Sequence, residues 1–309
     1  MLIYILKRIL SGVVTLFVVL VLVFLVFQVL GDPARHILPL TATNEQVQAY
    51  SQAHGYSDPF FERLGRYLGG ALRLDFGMST VRNQPAIDAV AAAVPRSLVL
   101  AGASILVTLV FGVSLGVLGG LTKNRIVDKA VQLLGAIGSA IPEFWSGLIL
   151  VIVFAVQLHV LPTGGYGGFQ FLVLPALAMS IPPMGRLTYV VRDSVRSVAD
   201  QPFALVALSK GLSRRTYVVR HVLRAALVPI VSIGAVELTR MAVGGVIVVE
   251  SVFSWQGIGQ LYVQAMQRYD VALVSATLFC ATALVLVLNL LLDILYTRLD
   301  PRISLERHA

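Results

Sequence analysis

The chain has 309 residues, 57% of them hydrophobic and only 13% charged, with a mean hydropathy of +0.83. A soluble domain carries about 25% charge, and the long uncharged runs here exclude the two soluble domains that the length alone would allow. The net charge of +8 would suit nucleic-acid binding, but the basic residues sort by loop, as they do in polytopic membrane proteins; the single cysteine, Cys280, excludes an internal disulfide and a Cys-based metal site.

A membrane-crossing helix needs roughly 20 mostly apolar residues. The first such run is Ile9 to Leu30, uncharged and preceded by Lys7 and Arg8. It is longer than a signal-peptide core, and Gly31-Asp32-Pro33-Ala34 offers no small-residue cleavage site, so an uncleaved helix over 1–30 is expected. Residues 31–96 are polar and mixed in charge. They carry turn signals at Ser57-Asp58-Pro59 and Asn83-Gln84-Pro85, and a helical stripe of Phe60, Phe61, Leu64, Tyr67, Leu68 and Leu72. This segment is too long for a tight connection and reads as a small helical element outside the membrane.

A main transmembrane region over 97–297 follows. Its first helix, Ser97 to Thr122, carries Gly112, Gly116, Gly119 and Gly120, which allow one face to approach another helix closely. After a basic loop with Lys123, Arg125 and Lys129, the next span covers about 132–158 and contains Pro142 and Glu143. The loop Gly164-Gly165-Tyr166-Gly167-Gly168 has no Lys or Arg. The fourth span, about 170–191, is the least regular: Pro175, Pro182 and Pro183 interrupt it and Arg186 closes its apolar part. The fifth, about 225–249, carries Glu237 and Arg240; the sixth, Val271 to Leu292, is uncharged, and a tail over 298–309 ends the chain.

The short loops decide the expected orientation. Lys123, Arg125, Lys129, Arg192, Arg196, Lys210, Arg214, Arg215, Arg220 and Arg224 all fall on the side of Lys7 and Arg8, whereas Arg268 is the one basic residue of the opposite short loops. By the positive-inside rule both termini are cytoplasmic and 31–96 is extracytoplasmic. The expected architecture is thus all-α and polytopic, with about six transmembrane helices and an external insertion after the first.

The cytoplasmic stretch 200–229 has its own local logic. Asp200 suits an N-cap and Pro202 a first turn. Phe203, Val206, Ala207 and Lys210 follow at helical spacing, Gly211 stops the helix with Leu212 as its seal, and Ser213 caps a second, basic helix. This pattern suits either a surface hairpin on lipid head groups or a piece that docks into another protein. Glu237 and Arg240, three apart within a span, share a helix face. They form either a structural ion pair or the polar lining of a path, since charges within spans face the bundle interior or a wet cavity. Glu143 sits either at a helix end or facing that path. Tyr166 and Trp255 read as interfacial anchors. The histidines at 36, 54, 159, 221 and 308 are scattered; His36 and His159 are either unrelated loop residues or groups that could meet nickel from outside.

A series of segments then resembles one family. Ala207-Leu208-Ser209-Lys210-Gly211-Leu212-Ser213, with Arg220-His221-Val222-Leu223-Arg224-Ala225-Ala226-Leu227-Val228-Pro229, is similar to the cytoplasmic "EAA" loop of ABC importer permeases of the dipeptide, oligopeptide and nickel branch. Gly31-Asp32-Pro33-Ala34, Gly77-Met78-Ser79, Pro95-Arg96-Ser97-Leu98, Ile141-Pro142-Glu143-Phe144-Trp145 and Leu161-Pro162-Thr163-Gly164-Gly165-Tyr166 resemble the same family in order. So do Glu250-Ser251-Val252-Phe253-Ser254-Trp255-Gln256-Gly257-Ile258-Gly259 and Asp300-Pro301-Arg302. The chain departs from the pattern at Leu208, where arginine is usual, at Ser209, where alanine is usual, and at Leu30, where members often have proline.

The resemblance implies the type I importer permease fold and a non-catalytic subunit that moves di- or oligopeptides by alternating access across the cytoplasmic membrane. A nickel complex is the alternative cargo. The implied partners are a second permease, two cytoplasmic ATPases that bind the ATP and Mg, and an external substrate-binding protein; this chain itself needs no cofactor and has no G-x-x-x-x-G-K-[ST] loop. Helices near 200–217, with Ala207, Ser209, Lys210, Gly211, Leu212 and Ser213, would contact an ATPase. Glu237, Arg240 and Glu143 are the candidate path residues, and Trp255 and Tyr166 the candidate contacts of the binding protein. A proton-coupled transporter is the competing class, but it calls for paired intramembrane acids and inverted repeats, and the sequence offers one clear intramembrane acid, Glu237, and no convincing repeat. An intramembrane enzyme calls for a Ser–Lys, Ser–His or paired-Asp arrangement within spans, and none is evident.

Overall fold

The computed structural model describes residues 2–29, 34–38, 41–53 and 55–299. Gly31-Asp32-Pro33, Asp300-Pro301-Arg302, Leu30, His54, His308 and the tail beyond 299 lie outside the described residues, as do the side chains of His36 and Leu208.

The chain is helical almost throughout. Helix α1 (Leu2–Val29) is followed by α2 (Ala34–Ile37), α3 (Asn44–Ala53) and α4 (Phe60–Leu72). Strands β1 (Met78–Ser79) and β2 (Gln84–Pro85) form a minimal antiparallel hairpin, with Met78 opposite Pro85. Helix α5 (Ala86–Leu121) starts well before the expected Ser97, because Pro95 is accommodated inside it and the apolar face continues through Ala86, Ala89, Val90 and Ala93. Helices α6 (Arg125–Ala140) and α7 (Glu143–Leu150) meet at a bend of 104°. Ile141 and Pro142 are extended there, and a π-helical turn over Val151–Gln157 continues α7. The expected third span is therefore a broken one.

Helix α8 (Phe169–Ala199) runs without interruption for 31 residues, longer and more regular than expected, although it contains Pro175, Pro182 and Pro183. Each proline removes a backbone donor and orphans the carbonyl four residues earlier. For Pro182 that carbonyl belongs to Ala178, and Ser146 of α7 supplies the missing hydrogen bond: its Oγ donates to Ala178 O at 3.1 Å. A neighbouring helix thus satisfies what the proline leaves open, which is how such residues persist in membrane helices.

The next elements are α9 (Pro202–Ser209), α10 (Arg214–Thr216) with a π turn over Tyr217–Val222, and α11 (Leu223–Ala225). Helix α12 (Leu227–Arg240) passes through a π turn, Met241–Gly245, into α13 (Val246–Val252). The chain closes with α14 (Ile258–Gln267) and α15 (Val271–Leu299). Among the described residues, four helices are long and apolar enough to cross a membrane: Leu6–Val29, Ala86–Leu121, Phe169–Ala199 and Val271–Ile294. Two bent pairs bring the number to six, the 125–157 pair and the 214–240 pair bent by 67°.

The contacts define two compact units. One comprises residues 1–97 and 256–290. Its core joins Val23 and Phe27 of α1, Ala86 and Val90 of α5, Ile258 and Leu261 of α14, and Leu273 and Val274 of α15. Polar contacts pin the same unit together. Ile258 N donates to Ser97 Oγ at 2.8 Å, and Arg96 Nη1 donates to Gln256 Oε1 at 3.0 Å. Two of the family-like segments, Pro95-Arg96-Ser97 and Gln256-Gly257-Ile258, are therefore one structural joint.

Asp270 is the second joint of that unit. Its buried carboxylate accepts from Ser79 Oγ (2.6 Å), Val81 N (3.0 Å) and Leu273 N (3.0 Å), capping α15 while holding the β1–β2 hairpin. Asp270→Ala leaves these donors without an acceptor, and a buried donor left unmade costs about 1–3 kcal/mol. A drop in thermal midpoint is expected for Asp270→Ala and a smaller one for Asp270→Asn, read by melting the purified protein.

Among the described residues, the other unit comprises 98–255 and 291–299. One of its two clusters gathers Leu174, Met179, Met241, Val249, Phe253 and Trp255; the other gathers Leu187, Val191, Val195, Ala204, Tyr217 and Val222. Helix α8 runs through both. The glycines of α5 meet it as expected: a Cβ on Gly116 would lie 2.5 Å from Val191 Cβ, and one on Gly120 would lie 2.8 Å from Arg192 O.

Candidate translocation path and coupling surface

A charged cluster lies at the middle of the second unit. Glu237 of α12 has no exposed surface. Its carboxylate is gripped by the planar fork of Arg186 from α8, Nε to Oε1 at 2.7 Å and Nη2 to Oε2 at 2.6 Å. Such a two-pronged bond is the strongest pairing that arginine makes with a carboxylate. Arg240, one turn on from Glu237, reaches the same Oε1 only at 3.4 Å, and its side chain is 61% exposed.

Glu143 opens α7 directly after Pro142. Its carboxylate lies beside Gly245, where a Cβ would come within 3.3 Å of Oε1, and it is close enough to be attracted by Arg186 and repelled by Glu237. So the three expected path residues lie near one another: Glu237 joins Arg186 to Arg240, and Glu143 feels the charges of Arg186 and Glu237. The cluster borders the π turn at Met241–Gly245. Such turns insert an extra residue into a helix and recur at functional sites.

The 200–217 segment forms two short helices around a glycine. Gly211 has φ +71°, a conformation open to glycine at little cost. Ser213 Oγ accepts from Thr216 N at 3.3 Å and caps α10. Asp200 does not cap α9; it ends α8, with its N–H on Arg196 O at 3.2 Å. The cap position falls to Gln201, whose carbonyl accepts from Ala204 N at 3.0 Å. Ala207 points into the core with Ala204, Leu212 is half-buried, and Ser209, Lys210, Gly211 and Ser213 are exposed.

At the opposite loops, Tyr166 and Trp255 stack edge to face with centroids 5.1 Å apart. Gly165 N donates to Phe253 O at 2.7 Å and draws the two loops together. Trp255 is only 3% exposed and belongs to the core, whereas Tyr166 is 47% exposed. Of the two expected contact residues, Tyr166 alone presents its ring.

Residues 86–305 match the model of the binding-protein-dependent transport system inner membrane component, and residues 1–101 match the model of the N-terminal part of such membrane components. The chain belongs to this permease family. It is 32% identical over 304 residues to the glutathione transport system permease protein GsiC of Escherichia coli strain K12 and to its namesake in Shigella dysenteriae serotype 1, covering 98% of this chain and 99% of each relative. Its fold is similar to the inward-facing MetNI methionine ABC transporter, with a TM-score of 0.57 at 18% identity over 69% of this chain and 96% of that one; a second crystal form gives 0.54. The protein is a multi-pass membrane subunit of an ABC importer. It is non-catalytic, ATP hydrolysis residing in a separate subunit, and the family works with a binding protein and a second permease.

Several residues of this permease escape sequence reasoning. Arg186 looks like the end of an apolar stretch, and its partner lies 51 positions away. Asp128 sits in a basic loop, yet it accepts from Arg192 Nε (2.6 Å) and Nη2 (2.8 Å) and from Arg196 Nη1 (3.0 Å), tying α6 to the last turns of α8. The spacing of Arg192 and Arg196, one turn apart, is the available signal. Phe203 and Val206 show only helical spacing in the sequence, and in the structure both are exposed on α9, as Lys210 is just after it.

Proposed function

We propose that this permease forms half of the pore of an ATP-driven importer of di- and oligopeptides. The observation that carries this reading is the Glu143–Arg186–Glu237–Arg240 cluster. A peptide is a zwitterion; Arg186 and Glu237 neutralise each other, which leaves Glu143 as the acid and Arg240 as the base for its two ends, and Arg240, loosely held and exposed, is the group placed to meet a carboxylate. The full-length similarity to permeases named for glutathione, itself a tripeptide, supports the same substrate class.

In this reading Lys210, Gly211, Leu212 and Ser213, with Phe203 and Val206, seat in a cleft of a cytoplasmic ATPase, with Ala207 and Ser209 behind them. ATP-driven closure of two ATPases pushes this hairpin and its counterpart on a second permease together, and α8 carries the movement from Asp128–Arg192 to Arg186. Both termini face the cytoplasm and residues 31–96 face outside, where the Tyr166 loop meets the binding protein. The permease holds no cofactor; ATP and Mg belong to the ATPases.

The test is uptake by the importer reconstituted with its partner subunits. Peptide accumulation is expected to require ATP and to survive a proton ionophore. Arg240→Gln is expected to lower peptide uptake about tenfold, the size of one charge-assisted hydrogen bond, while stimulated ATPase activity persists. Uptake without ATP, or uptake of a nickel complex and no peptide, overturns the reading.

A further inference from the structure

A cavity of 640 Å³ opens in the first unit. Its floor is Phe24 and Phe27 from the last turns of the Leu6–Val29 span and Val271, Ala272 and Ser275 from the first turns of the Val271–Ile294 span. Both spans end here, so the cavity lies at the boundary between hydrocarbon and head groups. One wall is α4, which lies against α1 through Phe24: its ring is 5.5 Å from that of Phe60 and 5.6 Å from that of Tyr67, and the Arg63 guanidinium sits over it at 5.9 Å. The apolar residues of α4 that find no protein cover, Phe61 (81% exposed) and Leu72 (88% exposed), are what an interfacial helix buries in lipid.

The charge is one-sided. Arg63, Arg66 and Arg73 line the cavity against Asp75 alone. Arg66 is paired with Asp58, but among the described residues no carboxylate pairs with Arg63 or Arg73. Asp75 is engaged by Gly77 N at 3.0 Å. Gly69 also lines the cavity, and a Cβ there would meet nothing within 4 Å. The wall is thus kept open by an absent side chain, beside arginines with charge to spare and over an apolar floor continuous with the bilayer.

We propose that this cavity is a binding site for one anionic phospholipid. The phosphate sits between Arg63 and Arg73, and an acyl chain descends along Phe24 and Phe27. Basic residues at a membrane surface gain about 1 kcal/mol each from anionic lipid, and the aromatic floor supplies the apolar part. The site is independent of the cargo and of the charged cluster.

Native mass spectrometry of the importer, purified with its partner subunits and exposed to equal phosphatidylglycerol and phosphatidylcholine, tests the proposal. The wild-type complex is expected to retain one more phosphatidylglycerol per permease chain than the variants do, with no such preference for phosphatidylcholine. Arg63→Gln with Arg73→Gln is expected to weaken retention about 30-fold, two surface charges' worth. Gly69→Leu, which fills open space without straining α4, is expected to abolish it while leaving the thermal midpoint in lipid-free detergent unchanged. Glycerol phosphate added as the soluble source of the same head group is expected not to compete. Equal retention of both lipids, retention of the extra lipid by both variants, or displacement by glycerol phosphate overturns the proposal.

Discussion

Arg186→Met alone is expected to destabilise the permease by about 3–5 kcal/mol, and Arg186→Met combined with Glu237→Leu to recover most of that loss. The asymmetry follows from burial. Glu237 has no exposed surface, and removing Arg186 deletes both of its short hydrogen bonds, leaving Arg240 at 3.4 Å as its remaining partner. A buried charge stripped of its partner costs that much, whereas replacing the whole pair by apolar groups of similar volume is often neutral or better. Glu237→Leu alone is expected to cost less than Arg186→Met, because the Arg186 side chain keeps 29% of its surface exposed. Thermal melting of the three variants in one detergent gives the cycle, and uptake assays on the same samples separate structure from transport. If the cluster also meets the substrate, the double variant is stable and does not import. If the pair serves only to hold α8 to α12, the double variant imports normally. Arg186→Met as stable as wild type would show that the fork is not what keeps Glu237 in place.

The legible and the hidden parts of this molecule divide along the length scale of the interaction. Periodicity and apolar runs identify the helices, and the close-packing role of Gly112, Gly116 and Gly120 follows from their spacing, because a helix face is a local property. Gly211 and the Ser213 cap are likewise local and were readable. Long-range partners are not. Nothing near Pro182 reveals that Ser146, on another helix, supplies a hydrogen bond to Ala178's carbonyl, so an uninterrupted 31-residue helix reads in sequence as the least regular span. Arg186 and Asp128 are invisible as site residues for the same reason. Glu237 finds its main partner on α8 rather than at i+3, where sequence spacing pointed. Trp255 illustrates a further limit: aromatic residues in polar loops read as exposed anchors, but the Gly164–Gly165 approach to Phe253 closes over it.

The tightest place in the second unit gives the other large effect. Gly185 of α8 faces α6, and a Cβ on it would lie 2.5 Å from Gly135 O, 2.5 Å from Ser139 N and 2.9 Å from Gly138 C. All three are backbone atoms of a helix, which cannot rotate out of the way as the Leu187 side chain opposite Gly112 can. Gly185→Ala is therefore expected to cost about 1–3 kcal/mol as an overpacked core does, and Gly185→Leu to prevent accumulation of folded protein in the membrane. Gly102→Ala on α5 is the control, with nothing within 4 Å of the new methyl; removing a mid-helix glycine there is expected to be neutral or to stabilise by up to about 1 kcal/mol. The consequence for transport exceeds that for stability. Gly185 immediately precedes Arg186, so a shift of α8 away from α6 moves the fork relative to Glu237, and displacement of a positioned group by about 1 Å can cost on the order of 100-fold in function. Gly185→Ala is thus expected to lose far more substrate uptake per folded molecule than its melting point suggests, measured as uptake normalised to assembled complex. Uptake that falls only in proportion to folded protein would show that the α6–α8 contact holds the fold without setting the charged cluster.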